Sequence, residues 1–162
     1  MMAACAHADD AVTESSVGHW PQWRGPLGTG VSPDGAPPIE WSEEKNVQWK
    51  VELQGRGHAT PIIWRDRIFL TTAVPFGSEL TPHKSGRPGA HDNLAVSQWH
   101  RFIALAIDRL TGKTLWQKTL NEALPIEGAH YTASLASASP VADGEHVFAF
   151  FGSRGIYCYD LD

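Results

Sequence analysis

Ala106-Ile107-Asp108-Arg109-Leu110-Thr111-Gly112-Lys113-Thr114-Leu115-Trp116 is the stretch from which the architecture can be read. Leu105 and Ile107 on one side and Leu115 on the other are the apolar positions of two strand ends, while Asp108, Thr111 and Gly112 sit between them. An Asp carboxylate accepts hydrogen bonds from backbone N–H groups two or three residues on, and Gly enters positive φ without a Cβ clash. Asp-x-x-Thr-Gly therefore predicts a tight turn from strand to strand, with Trp116 at the start of the second.

The same chain carries one unit twice. His58-Ala-Thr-Pro61-Ile-Ile-Trp-Arg-Asp66-Arg-Ile-Phe-Leu aligns without a gap on the residues around Ser139-Pro140-Val-Ala-Asp143-Gly-Glu-His-Val-Phe-Ala when Pro61 is set on Pro140. Each copy has small residues, a Pro, a short apolar strand start, a polar turn and an apolar strand. The second continues through a Gly152-Ser153-Arg154-Gly155 hairpin, so that Cys158 falls where Ala106 stands and Asp160 where Asp108 stands. Repetition of a supersecondary unit predicts a repeat architecture in which neighbours bury each other's faces. Consecutive apolar residues over Val147–Phe151 predict a strand covered on both sides. Val47, Trp49, Val51 and Leu53 alternate within 41–53, which predicts a further strand. Gly28, Gly30, Pro33, Gly35, Pro37 and Pro38 mark an irregular connector before it.

Composition agrees with an all-β domain. The 162 residues include 7 Trp, 15 Gly and 11 Pro, and 42% are hydrophobic against 19% charged. That is enough chain for a sizeable core in one domain. A net charge of −5 leaves no basic footprint for nucleic acid. No stretch approaches the roughly 20 apolar residues of a transmembrane helix. Cys5 and Cys158 lie in a tail and a predicted strand, a poor match for a structural disulfide. Ala6-His7-Ala8 has the small-x-small form of a signal-peptidase site, although no charged start and apolar run precede it, and Met2-Ala3-Ala4-Cys5 is faintly like a lipoprotein box.

Ala106, Asp108, Thr111, Gly112, Lys113 and Trp116 match A-x-D-x-x-T-G-K-x-x-W, and this motif resembles the tryptophan-docking motif of pyrroloquinoline quinone (PQQ)-type β-propellers. Trp20-Pro-Gln-Trp-Arg-Gly-Pro26 resembles the opening of exported members of that family. The resemblance implies an all-β, partial β-propeller: about the first two four-stranded antiparallel blades of an eight-bladed ring, with each docking Trp laid against the neighbouring blade. Residues 1–18 are then a leader and 19–162 the repeats. Blade one covers about 41–120, with an insertion at 74–98, and blade two about 121–162, incomplete. The chain is expected to be an N-terminal fragment whose partners are the remaining blades, encoded past Asp162, in a periplasmic or secreted bacterial protein.

Two functions follow from the resemblance. One is a non-catalytic exported propeller that serves as a scaffold or binding platform, similar in kind to the propeller lipoprotein of outer-membrane assembly, with no cofactor in this fragment. The other is part of a quinoprotein dehydrogenase that oxidises alcohols or sugars with PQQ and calcium; the adjacent cysteines common in such enzymes are not in this segment. The docking-motif residues are expected to be structural. His58 and His130 precede the two small-residue-Pro strand starts, and Glu127 is close enough in sequence to pair with His130 as an acid/base or ligand-binding set, with turn hydrogen bonding as the alternative. His83, His91 and His100 lack metal-ligand spacing and are expected in solvated loops. Arg154 in the hairpin either reaches towards the ring axis or is solvated. No G-x-S-x-G, H-E-x-x-H or phosphate-cradling loop is present.

Overall fold

A computed structural model describes residues 18–32, 35–84 and 93–162. The leader, Cys5, Pro33 and His91 therefore lie outside the described residues, as does the centre of the insertion. Seven strands occur among the described residues: β1 (Ile62–Trp64), β2 (Arg67–Phe76), β3 (Trp99–Asp108), β4 (Thr114–Ala123), β5 (Val141–Ala142), β6 (His146–Phe150) and β7 (Ile156–Asp160). They form two antiparallel sheets in chain order, β1-β2-β3-β4 and β5-β6-β7. The only helical turn among them is a 3₁₀ turn at Gly152–Arg154, between β6 and β7.

The two sheets share one register. Ile62 pairs with Phe69 and Ile63 with Ile68 in the first, and Val141 with Phe148 and Ala142 with Val147 in the second. Arg67 faces Asp108 and Phe69 faces Ala106, while His146 faces Asp160 and Phe148 faces Cys158. Thr60 N–H donates to Ser139 Oγ at 2.9 Å, a bond between residues 79 apart that occupy the same place in the two units.

The sheets pack through side chains. Pleating sends alternate residues to opposite faces, so Phe69, Ala73, Phe102, Ala104 and Ala106 of the first sheet meet Ala142, Val147, Ala149 and Phe151 of the second. Ile62 and Phe69 are 0% and 1% exposed, and burial of such side chains stabilises by about 1.5–3 kcal/mol each. The other face of the first sheet carries Ile103, Leu105 and Ile107, packed with Ile68, Leu70 and Trp49.

Residues 41–53 are not a strand. Their only ladder pairing is a local bridge between Ser42 and Lys45. The alternation serves a strap instead: Trp49 Nε1 donates to the Arg109 carbonyl and Gln48 Nε2 to the Leu110 carbonyl, both at 2.9 Å, while Val47, Val51 and Leu53 remain 38–39% exposed. The segment at Trp20 closes the other end of the sheet order. Trp20 exchanges two backbone hydrogen bonds with Ile63 on β1, and Ala142 N–H on β5 donates to the Pro21 carbonyl at 2.8 Å. In the insertion, β2 runs on to Phe76 opposite Trp99, and His83 and Val96 pair beyond them.

Candidate functional site

At one end of the sheets lies the β3–β4 turn. Asp108 Oδ1 accepts from Thr111 Oγ1 at 2.6 Å, Thr111 N–H at 2.7 Å and Leu110 N–H at 3.1 Å. These bonds, the Thr111 hydroxyl foremost, hold the Asp108 carboxyl below its ordinary pKa. Gly112 has φ +73°, and a Cβ there would lie 2.7 Å from the Trp49 ring. Lys113 is exposed and returns its carbonyl to Asp108 N–H at 2.8 Å. Trp116 faces Ala106 across β3 and β4 and packs between the sheets, with ring centroids 6.0 Å from Phe69 and 6.3 Å from Tyr159. Asp108 Oδ1, the Thr111 hydroxyl and the Lys113 carbonyl are thus engaged in holding the turn.

The opposite end is made by the extended β2–β3 hairpin and the 124–139 connection. Leu94 N–H donates to the Ala129 carbonyl at 2.9 Å, and a Cβ on Gly128 would lie only 1.7 Å from the Leu94 carbonyl oxygen. His58, Glu127 and His130 are all on this side. His58 is exposed, and its backbone N–H donates to the Ala136 carbonyl at 3.0 Å. His130 Nδ1 accepts from Thr132 N–H at 3.3 Å and lies 2.8 Å from the Thr132 hydroxyl, with its ring on Tyr131. Glu127 is exposed and makes no hydrogen bond or ion pair among the described residues, so the structure does not join it to His130. Arg154 is half-buried and donates to the Leu124 carbonyl, which ties the hairpin to the connection.

Between these two segments is a cavity of about 500 Å³ lined by Arg56, Val74, Leu94, Val96, His100 and Leu135 among others. Arg56 is positioned by backbone: its N–H donates to the Ala73 carbonyl at 3.0 Å and its carbonyl accepts from Ala73 N–H at 3.1 Å. The flanking chain runs so close to β2 that a Cβ on Gly57 would lie 2.3 Å from the Thr71 carbonyl oxygen. His100 is not in a solvated loop. It lies on β3, half-buried, and burial lowers its pKa against a smaller opposing effect of the Gln98 carbonyl. Its Nδ1 is 3.0 Å from that carbonyl, an acceptor only, so Nδ1 carries the proton and Nε2 presents a lone pair.

Sequence reasoning did not single out Arg56 as a site residue. The signal for His100 was the alternation Phe102, Ala104, Ala106 read two residues further back along the same strand. Among the described residues, no three His, Cys, Asp or Glu side chains are grouped to hold a metal ion, and no helix is long and apolar enough to cross a membrane. Compared with protein-family models, with curated proteins and with solved structures, the chain gives no match.

Proposed function

We propose that the chain is a segment of a PQQ-like β-propeller, and that within this class it acts as an exported, non-catalytic scaffold or binding platform. The observation that carries the reading is the shared register of two sheets stacked so that one face of the first unit meets the opposite face of the second. A propeller is this stacking continued around an axis. The face of the second sheet turned away from the first exposes Val141, Phe150 and Ile156, at 44%, 48% and 66%. A further unit of the same kind is the partner that fits it.

The platform mechanism is presentation: rigid sheets hold the β2–β3 hairpin and the 124–139 connection together at one end, where loops recognise a ligand. Calcium, which a PQQ dehydrogenase would need, takes six to eight oxygen ligands. Among the described residues, no three His, Cys, Asp or Glu side chains are grouped in that way.

Two measurements on the protein test this. Negative-stain class averages are expected to contain a ring, closed by further repeats. Addition of PQQ and calcium chloride is expected to give neither quinone absorbance on the protein nor dye-linked oxidation of ethanol or glucose. Particles without a ring would overturn the propeller, and PQQ-dependent turnover would replace the platform with the dehydrogenase.

A further inference from the structure

We infer that the cavity beside Arg56 and His100 binds a small carboxylate with an apolar, ring-sized body and a hydroxyl group at its far end. The inference rests on the platform reading, because the cavity lies at the loop end where that platform would present its ligand. At about 500 Å³ the space is in the range of small-molecule sites, which bury an apolar body and fix it with a few polar groups.

The lining supplies those parts separately. Val74, Leu94, Val96 and Leu135 form apolar walls, and no Asp or Glu among the described residues lines the space. Among the described residues, Arg56 is the one lining residue with a formal charge at neutral pH, and that charge favours an anion beside it. Its guanidinium has no hydrogen bond or ion pair among the described residues, and its planar fork matches a carboxylate. His100 is committed at Nδ1 to the Gln98 carbonyl. The remaining lone pair on Nε2 accepts a proton from a donor and repels a second acceptor. A hydroxyl on the ligand meets that requirement, and a second carboxylate does not.

The probe is 4-hydroxybenzoate, titrated calorimetrically into the protein, with benzoate, phenol and tyramine as comparators. Saturable binding of 4-hydroxybenzoate is expected, with benzoate about fivefold weaker for loss of one neutral hydrogen bond and tyramine silent because its charge is reversed. Arg56→Gln should weaken 4-hydroxybenzoate about tenfold or more, as loss of a charge-assisted bond does, and leave phenol unchanged. His100→Phe should bring 4-hydroxybenzoate and benzoate to equal affinity.

Because Arg56 is exposed, the first variant is expected to keep the far-ultraviolet spectrum and melting temperature of the parent. No saturation with 4-hydroxybenzoate, equal binding of tyramine, or an Arg56→Gln variant that binds 4-hydroxybenzoate like the parent would each overturn the inference. Any of these in a protein that still forms rings without turnover removes the ligand and leaves the platform.

Discussion

Replacement of Trp116 by Ala tests the contact between the sheets most directly. The indole touches both inter-sheet clusters, lies against Phe69 and Tyr159, and is half-buried. Truncation of a core Trp to Ala costs about 3–5 kcal/mol. The lower end applies here, about 3 kcal/mol, because part of the ring is already in water and because the buried Nε1 has no partner to lose. For a chain of this size each kcal/mol moves the melting temperature by roughly 2–4 °C, so a fall of roughly 6–12 °C is expected. Thermal melts followed by far-ultraviolet circular dichroism measure the shift, and urea unfolding followed the same way gives the free-energy difference. Leu115→Ala is the control, since Leu115 is 47% exposed on the neighbouring position of β4 and should change stability by only about 0.5 kcal/mol. Trp116→Phe keeps an aromatic filler and removes the unpartnered N–H, so it should fall between the two. If Trp116→Ala and Leu115→Ala unfold at the same urea concentration, Trp116 does not couple the sheets and the packing described above is wrong.

Gly112→Ala forces a side chain into positive φ and onto Trp49; a loss of at least about 1–2 kcal/mol is expected in thermal melts, with a shift in tryptophan emission as Trp49 is displaced. Asp108 has a depressed folded-state pKa, so its stabilising effect is present above the unfolded value of about 3.9 and is lost as pH falls through the folded value. The gap in melting temperature between the parent and Asp108→Asn should therefore be larger at pH 7 than at pH 3, and a gap independent of pH would refute the charge-based account. Phe150→Lys with Ile156→Lys should reduce self-association in light scattering while the melting temperature holds, since both side chains are exposed on the outer face; unchanged association would mean that this face is not where units meet.

The parts of this structure that were legible in the sequence are those set by residues close together in the chain. Asp108, Thr111 and Gly112 specify their turn by hydrogen bonds and φ preferences that span three or four residues. The repeated Pro61 and Pro140 units specify a common register because each strand pair is joined by a short turn. Trp49 misled for a physical reason: alternation reports that every second side chain is apolar, and a strap that lays one face on a turn satisfies it as well as a strand does. The cavity could not be read at all. It depends on residues 94–98 meeting 125–135 across the top of β3 and β4, and its least dispensable contact, Gly128 on the Leu94 carbonyl, carries no local sequence signal. His58, Glu127 and His130 all lie at the cavity end of the sheets, yet His58 and Glu127 are exposed and the His130 ring bonds with Thr132.

One unit used twice with opposite faces buried also constrains what can be added. Ile62 and Thr71, which meet the second sheet, are 0% and 2% exposed, whereas Val141 and Phe150 hold the same places in the second unit and are 44% and 48% exposed. The second unit has thus put Phe where the covered unit has Thr, the reverse of what selection for a solvated face would give. On the other side, Val147 and Ala149 are buried against the first sheet while their counterparts Ile68 and Leu70 pack under the Trp49 strap. A unit therefore has a head and a tail, and only the tail of the second is open. A symmetric pairing of two such open faces would bury them once and stop; a head docked on that tail reproduces the contact already present between the two sheets and leaves another tail behind. The repeated contact is the simpler way to cover Phe150 and Ile156, and being head-to-tail it gives a ring where the rotation per step closes and an open helical array where it does not.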